Sequence, residues 1–273
     1  MLVLCYGLTK SGSTLTFELI KGLLETAGHA QDRLPDGVVN PGHRVNYAQP
    51  LTRKKLDEIL SAIGERWIAV KTHSGIADPL FTYVEKLQRE KTLQLVVSYR
   101  DPRDICLSML DAGERARASG VKEFSEITDL AVAEARVSEQ IDKFFKWAAV
   151  PGALLLSYEM VAFEPETAMD RIESCLSLRA DRARAKQYAF EEAFTQKNKA
   201  QRNRFLGELT VQQRVDLEKT FETFISNFID GDPAQWLSEK RLEILQREAL
   251  RRAFGARDVL PDPTEPALPQ NRR

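Results

Sequence analysis

The sequence lacks long apolar runs and has few cysteines. No stretch approaches the roughly 18 apolar residues that a membrane-spanning helix requires. The apolar run that begins at Leu2 is read as the first strand, and we expect no secretory leader. The 3 cysteines, Cys5, Cys106 and Cys175, are far apart, and none belongs to a CxxC pair. We therefore expect buried free thiols, no metal site and a reduced, cytoplasmic protein.

An excess of charge of either sign is also missing. The 39 Lys and Arg residues are matched by 40 Asp and Glu residues, so the net charge is −1. Such a balance argues against a general binder of nucleic acids or membrane surfaces, although it allows a local basic pocket. At 273 residues the chain is long enough for one large α/β domain with a full core.

Apolar runs alternate with helix-like segments along the chain. We predict four strands, Leu2–Tyr6, Trp67–Lys71, Leu93–Tyr99 and Ala153–Tyr158. Strands that alternate with helices form a parallel sheet covered by helices, so we expect a P-loop-type three-layer αβα fold. It would have about four or five parallel strands and a helical C-terminal part. Residues 1–255 should form one domain and residues 256–273 a disordered proline-rich tail, while Ala112–Phe124 is expected to be irregular.

The turn after the first predicted strand has the composition of a phosphate-binding loop. Gly7, Gly12 and Thr14 are spaced as in a Walker A loop, but Ser13 stands where Walker A has lysine. The lysine of this loop, Lys10, comes earlier. Small residues let backbone N–H groups converge on an anion, and the N-terminus of the following helix adds partial positive charge. The loop is therefore predicted to bind a phosphate-like group.

Polar side chains follow the other predicted strands as well. Lys71 and His73 lie at the end of the second strand, where a neutral histidine suits the removal of a proton from a hydroxyl. Arg100 follows the third strand and Ser108 lies in the next helix, so the two could clamp a further anion. Ligands bind beyond the C-terminal ends of parallel strands, and these residues are therefore expected to share one site with the first loop.

Four segments resemble motifs of the cytosolic sulfotransferases, in the same order along the chain. The segment KSGST from Lys10 is similar to the family's 5′-phosphosulfate loop, PKSGTTW, and the segment from Lys71 to His73 resembles its KTH motif. The segment from Arg100 to Ser108 resembles RxPxDxxxS, which holds a 3′-phosphate. The segment LSYE, which contains Tyr158, resembles the one whose tyrosine borders the adenine.

This resemblance implies a donor and a role for each residue. The donor would be 3′-phosphoadenosine 5′-phosphosulfate (PAPS), whose sulfuryl group passes in line to an acceptor hydroxyl or amine without a metal ion. The product would be 3′-phosphoadenosine 5′-phosphate (PAP). His73 would be the general base, Lys10 would stabilise the leaving oxygen, and Lys71 would assist. The implied donor contacts are Ser11, Gly12, Ser13 and Thr14 for the 5′-phosphate, Arg100 and Ser108 for the 3′-phosphate, and Tyr158 for the adenine.

The chain departs from the family pattern in three places. Leu15 stands where the family has a tryptophan that stacks on adenine. The later RKGxxGxWK segment is missing, and Lys199, Arg202 or Arg204 would have to grip the 3′-phosphate instead. The short C-terminal dimerisation motif is also missing, so a homodimer is left open.

Two alternative functions remain open from the sequence. A P-loop kinase acting on a nucleotide or small molecule would need the lysine that Ser13 replaces. A nucleotide-binding module without catalysis would not need His73. The acceptor of a sulfotransferase would be a small molecule or a carbohydrate, with neither nucleic acid nor membrane as a partner. Its pocket is expected between three loops, 29–50, 74–81 and 112–124, whose aromatic residues are Tyr47, Phe81 and Phe124.

Overall fold

The computed structural model describes residues 1–193, 199–240 and 242–243. Its sheet has four parallel strands in the order β2-β1-β3-β4. The strands are β1 Leu2–Gly7, β2 Ile68–Thr72, β3 Leu93–Tyr99 and β4 Leu154–Ser157. Each strand is an almost continuous run of buried residues, as expected where helices cover both faces of a parallel sheet. The predicted α/β fold with about four or five parallel strands is therefore confirmed.

Helices occupy most of the remaining described chain. They are α1 Ser13–Thr26, α2 Arg53–Ile63, α3 Asp78–Arg89, α4 Pro102–Ala118, α5 Leu130–Ala148, α6 Tyr158–Phe163, α7 Pro165–Leu176, α8 Arg182–Gln187, α9 Phe205–Glu208, α10 Val211–Thr220 and α11 Glu222–Phe224. Two π-helical turns, Tyr188–Glu192 and Ile225–Ile229, follow α8 and α11. No helix in the described ranges is long and apolar enough to cross a membrane.

Alternate residues of β1 face the two helical layers. Val3 and Cys5 belong to a buried apolar cluster with residues of α1, α6, α7 and α8. On the other face, Tyr6 stacks on Trp147 of α5, with ring centroids 5.3 Å apart. The period of two residues along a strand thus gives each face of the sheet its own core.

The helix α4 is longer than predicted. It continues through Ala112 to Ala118, so the expectation of irregular structure from residue 112 was wrong for this part. Ala112 and Ala116 are buried, whereas the charged residues between them are exposed. Gly113 lies against the backbone of Ile127, where a Cβ atom would come within 2.2 Å of its carbonyl oxygen. The high charge of this segment marks a solvated helix face.

A cluster of aromatic rings anchors the helical C-terminal part to the sheet. Phe224 and Phe228 lie with ring centroids 5.1 and 5.0 Å from that of Phe144 in α5. Tyr99, the last residue of β3, packs against the same three rings. Because Tyr99 immediately precedes Arg100, this packing holds the chain at the point where Arg100 leaves the sheet.

The chain divides into two units, Met1–Asp232 and one that begins at Pro233. In the second unit, residues 233–240 and 242–243 are helical. The predicted domain boundary at residue 255 and the predicted tail over 256–273 lie outside the described residues.

Candidate active site

The loop between β1 and α1 has the shape of an anion cradle. Lys10 and Gly12 adopt left-handed backbone conformations, with φ of 71° and 76°. The Ser11 hydroxyl donates a hydrogen bond to the Leu8 carbonyl at 2.7 Å, which tightens the turn from inside. The helix α1 then begins at Ser13, so its first backbone N–H groups point into the loop.

Glycine is required at both ends of this loop. At Gly7 a Cβ atom would come within 2.2 Å of the Ser98 hydroxyl oxygen and 2.5 Å of the Ser13 Cβ. At Gly12 it would come within 2.4 Å of the Tyr158 ring, in addition to the strain of a positive φ. The two glycines therefore let β3 and α6 pack directly against the cradle.

His73 is tied to the same loop through its backbone. Its Nδ1 lies 2.6 Å from the Gly7 carbonyl oxygen. Since a carbonyl oxygen can only accept, Nδ1 carries the proton and Nε2 keeps its lone pair. Burial, and next the charge of Lys71, lower the pKa of His73 to about 3. The ring is therefore neutral near pH 7, with Nε2 available to take a proton.

Lys71 connects the second strand to the start of α1. Its Nζ donates a hydrogen bond to the Thr14 hydroxyl at 2.7 Å, and the residue is buried. Burial is the main cause that lowers the pKa of Lys71 to about 8, and the charge of Lys10 lowers it further, while Glu18 opposes the shift. An anion bound in the cradle would favour the charged form of this lysine.

Lys10 lies half-buried at the mouth of the loop. Its Nζ is 5.3 Å from the centre of the Phe124 ring. Burial, and next the charge of Arg115, lower the pKa of Lys10, whereas Glu123 and Asp111 act in the opposite direction. The loop that carries Phe124 thus covers Lys10, the residue that is predicted to stabilise the leaving oxygen.

Arg100 is buried at the end of β3. Its Nη2 donates to Asp104 Oδ2 at 2.9 Å and to the Gln201 carbonyl at 3.2 Å. Its guanidinium lies over the Tyr158 ring, 4.2 Å from the ring centre. Its buried Nε has no hydrogen-bond partner among the described residues. Ser108, the other residue predicted to bind the 3′-phosphate, is buried in α4.

The three basic residues proposed to replace the missing family segment differ in environment. Lys199 and Arg202 are exposed and pair with Glu208 at 3.0 Å and with Glu164 at 2.8 Å. Arg204 is buried, and its Nη2 pairs with Asp111 and Glu208, each at 2.8 Å. Its Nη1 is buried without a hydrogen-bond partner in the part of the chain that the structure describes.

Comparison with solved structures gives matches over most of the chain. Mouse sulfotransferase SULT7A1 complexed with PAP matches with a TM-score of 0.55 and 14% identity, over 89% of this chain and 88% of that one. Retinol dehydratase in complex with androsterone and the inactive cofactor PAP matches with a TM-score of 0.52 and 16% identity, over 85% and 81% of the two chains. The chain has the sulfotransferase fold. No model of a protein family matches it, and no curated protein matches it in sequence.

Within this sulfotransferase fold the predicted site residues fall into two groups that meet at Gly12. Lys71 and His73 contact the first loop directly, through Thr14 and Gly7. Arg100 reaches the loop through Tyr158, whose ring packs on Gly12. Leu15 is half-buried and packs against the core cluster behind α1, as an ordinary apolar residue of the helix does.

Aromatic residues of two predicted acceptor loops lie beside His73 and Lys10. The ring of Tyr47 has its centre 5.9 Å from that of His73, and its backbone pairs with the edge of β2 at Lys71. Phe124 covers Lys10 from the loop after α4 and has a left-handed backbone, with φ of 69°. Their position in the long loops was the feature of the sequence that pointed to this side of the site.

Gln140 supports the first loop and was not foreseen from the sequence. Its Oε1 accepts a hydrogen bond from the Thr9 backbone N–H at 2.6 Å. No motif marks a glutamine in the middle of a helix 131 residues away. Over residues 1–193, 199–240 and 242–243, no group of three or more His, Cys, Asp or Glu residues could hold a metal ion.

Proposed function

We propose that the protein is a PAPS-dependent sulfotransferase that moves a sulfuryl group to a hydroxyl or amine of a small-molecule or carbohydrate acceptor. The observation that carries this proposal is the bond between His73 Nδ1 and the Gly7 carbonyl, at 2.6 Å. This bond supports the proposal because it leaves Nε2 unprotonated on a ring that contacts the first loop, which also carries Lys10. Two proteins of the same fold are complexes with PAP, which supports the choice of donor.

The residues present fit a nucleotide with phosphates at both ends of its ribose. The first loop offers backbone N–H groups at a helix N-terminus, in a cradle that a Cβ atom at Gly12 would fill. Arg100 Nε and Arg204 Nη1 are buried donors without a partner among the described residues, and a buried donor left unpaired is costly. A 3′-phosphate would satisfy both. Arg204 is for this reason a better candidate than the exposed Lys199 and Arg202.

The chain's own residues divide the chemistry between them. PAPS, when bound, supplies the sulfuryl group and a bisphosphate leaving group. His73 Nε2 takes the proton from the acceptor as its oxygen or nitrogen attacks. Lys10 and Lys71 lie on the side of the first loop and stabilise negative charge there. Positioning and electrostatic stabilisation account for most of the rate, as in phosphoryl transfer.

The Thr14 hydroxyl argues against the kinase alternative. In a Walker A loop the Ser or Thr after the lysine binds magnesium. Here the Thr14 hydroxyl accepts a hydrogen bond from Lys71 at 2.7 Å. The lysine ammonium group thus already occupies the contact that the hydroxyl would make to magnesium. Ser13 replaces the Walker A lysine at the same time. A non-catalytic module would need no base, whereas the bond from Nδ1 to Gly7 leaves His73 Nε2 free to act as one. A cytoplasmic location and a homodimer stay predictions.

Transfer from labelled donors tests the proposal. The protein is incubated with PAPS labelled in its sulfuryl group and, in parallel, with γ-labelled Mg-ATP, against phenols, aliphatic alcohols, amines and sugars. Label transferred from PAPS in the presence of EDTA supports the sulfotransferase. Label transferred only from Mg-ATP overturns it in favour of the kinase.

A further inference from the structure

The Tyr158 ring lies between the two anion-binding groups of the site. We propose that Tyr158 is a positioning residue that sets the spacing between the first loop and Arg100. By doing so it makes the site select nucleotides that carry both a 5′- and a 3′-phosphate. The inference rests on the proposed function, since it concerns the binding of the same donor.

One edge of the ring holds the first loop. A Cβ atom at Gly12 would lie 2.4 Å from Tyr158 Cδ2 and 3.0 Å from Cε2, so the ring edge touches the loop backbone directly. Gly12 is the residue immediately before α1, where the cradle is formed. The ring therefore supports the loop immediately before the first N–H groups of α1.

One face of the ring holds the arginine. The Arg100 guanidinium lies 4.2 Å from the centre of the Tyr158 ring, a distance typical of a cation–π contact. The same guanidinium is bonded to Asp104 through Nη2, and its buried Nε has no hydrogen-bond partner among the described residues. The ring and the carboxylate together fix the direction in which Nε points.

The sheet itself sets the position of Tyr158 relative to Arg100. Tyr99 in β3 is paired with Ser157 in β4, so the next residues, Arg100 and Tyr158, leave the sheet side by side. The Ser157 hydroxyl then accepts a hydrogen bond from Met160 N–H at 3.1 Å and starts α6 with Tyr158 as its first residue. The contact between ring and guanidinium is thus built on strand register and a helix cap, both of which are rigid.

The ring has little surface left for the adenine. Tyr158 is 9% exposed, with Gly12 at its edge and Arg100 on one face. Phe163 packs edge-on at 5.8 Å. The structure therefore favours a role for the ring in positioning Arg100, in preference to the predicted contact with the adenine.

Binding of two nucleotides separates these roles. Calorimetry gives the dissociation constants of PAP and of AMP, which lacks the 3′-phosphate, for wild type, Tyr158→Leu, Tyr158→Met and Tyr158→Phe. We expect the preference for PAP over AMP to fall by about tenfold or more in the Leu and Met variants, since Arg100 loses its support. The Phe variant should keep the preference, because the ring makes the contacts. Tyr83→Leu, which removes a tyrosine of α3 whose side chain contacts Asp57 and Arg53, is the control and should also keep it.

Three other results would overturn the inference, and one of them would overturn the proposed function as well. If the preference persists in whichever of the Leu and Met variants is folded by circular dichroism, Tyr158 does not position Arg100. If Tyr158→Phe loses as much as Tyr158→Leu, the hydroxyl and not the ring makes the decisive contact, and the inference is overturned. If wild type shows no preference for PAP over AMP, the proposed function itself fails, and the inference fails with it.

Discussion

His73 has one nitrogen with which to act as a base. The Gly7 carbonyl accepts the Nδ1 proton, so only Nε2 can take a further proton. The pKa of His73, lowered to about 3 by burial and by Lys71, keeps this nitrogen unprotonated across the neutral range. The approach of a negatively charged transferring group would favour the protonated ring and strengthen the base during the reaction.

Two substitutions at His73 separate its proposed role as a general base from its hydrogen bond to the Gly7 carbonyl. Asparagine can still donate its side-chain amide to the Gly7 carbonyl, but it has no nitrogen in the place of Nε2, and alanine has neither. We expect both His73→Asn and His73→Ala to lower turnover by about 10²–10⁴-fold, the usual contribution of a general base. PAP affinity measured by calorimetry should change little in the Asn variant. Wild-type turnover in His73→Asn would show that the ring serves only to hold the loop.

The lowered pKa of Lys71 predicts how the affinity for PAP depends on pH. Its pKa of about 8 in the free protein means that it loses its proton as the pH rises through 8, whereas bound PAP favours the charged form. Binding then takes up a proton above pH 8, so PAP affinity should fall with rising pH, by up to about tenfold per unit. Below that pH the charge is present in both states, and this dependence disappears.

Calorimetry of PAP binding between pH 6.5 and 9.5 checks this expectation; these values bracket the Lys71 pKa of about 8. Lys71→Met should bind PAP more weakly at pH 7 and lose the part of the decline that begins near pH 8. A decline that is the same in Lys71→Met as in wild type would assign it to another group, of which Lys10 is the nearest candidate.

At the scale of elements, two buried ion pairs lie at the start of α4 and in the two residues before it. Arg100 pairs with Asp104 through Nη2 at 2.9 Å, and Arg103 pairs with Asp101 through both Nε and Nη2, the latter at 2.7 Å. Arg100 faces Tyr158, whereas Arg103 lies over the Phe205 ring. These two buried arginines, one just before α4 and one in its first turn, thus differ in whether they face the predicted donor site.

This pair of arginines provides a matched experiment. Removal of either one leaves a buried carboxylate unpaired, so Arg100→Ala and Arg103→Ala should each lose about 3–5 kcal/mol of unfolding free energy. Arg100→Ala should lose in addition about 2 kcal/mol of PAP binding, the value of a charged hydrogen bond. Denaturant unfolding and calorimetry measure the two quantities. Equal losses of PAP affinity in the two variants would mean that the 3′-phosphate site lies elsewhere.

The strands and the residues that follow them could be predicted from the sequence, because a parallel sheet buries continuous apolar runs. The prediction of β3 agrees with the structure at both ends, Leu93 and Tyr99. The length of α4 could not be predicted. Its charged stretch gives no local sign that Ala112 and Gly113 pack against the segment at Ile127. The helical C-terminal part was predicted only in outline, and the structure divides most of residues 211–229 among α10, α11 and a π-helical turn that packs on Phe144.

At the scale of the whole molecule, contacts between distant segments complete the site. Gln140 holds Thr9 across 131 residues, and the Gln201 carbonyl holds Arg100 across 101 residues. Such contacts depend on how helices pack around the sheet, and a single sequence gives no local pattern for them. The motif residues could therefore be predicted from the sequence, but the distant residues that hold them in place, Gln140 and Gln201, could not.

The central claim is that the site binds a bisphosphate nucleotide without metal. Calorimetric titration of the wild-type protein with PAP in the presence of EDTA, alongside a titration with Mg-ATP, tests it most directly. The structure predicts tight binding of PAP in EDTA and weaker binding of Mg-ATP, because Lys71 holds Thr14 and no lysine stands at position 13. Tighter binding of Mg-ATP, or no binding of PAP, would contradict the account.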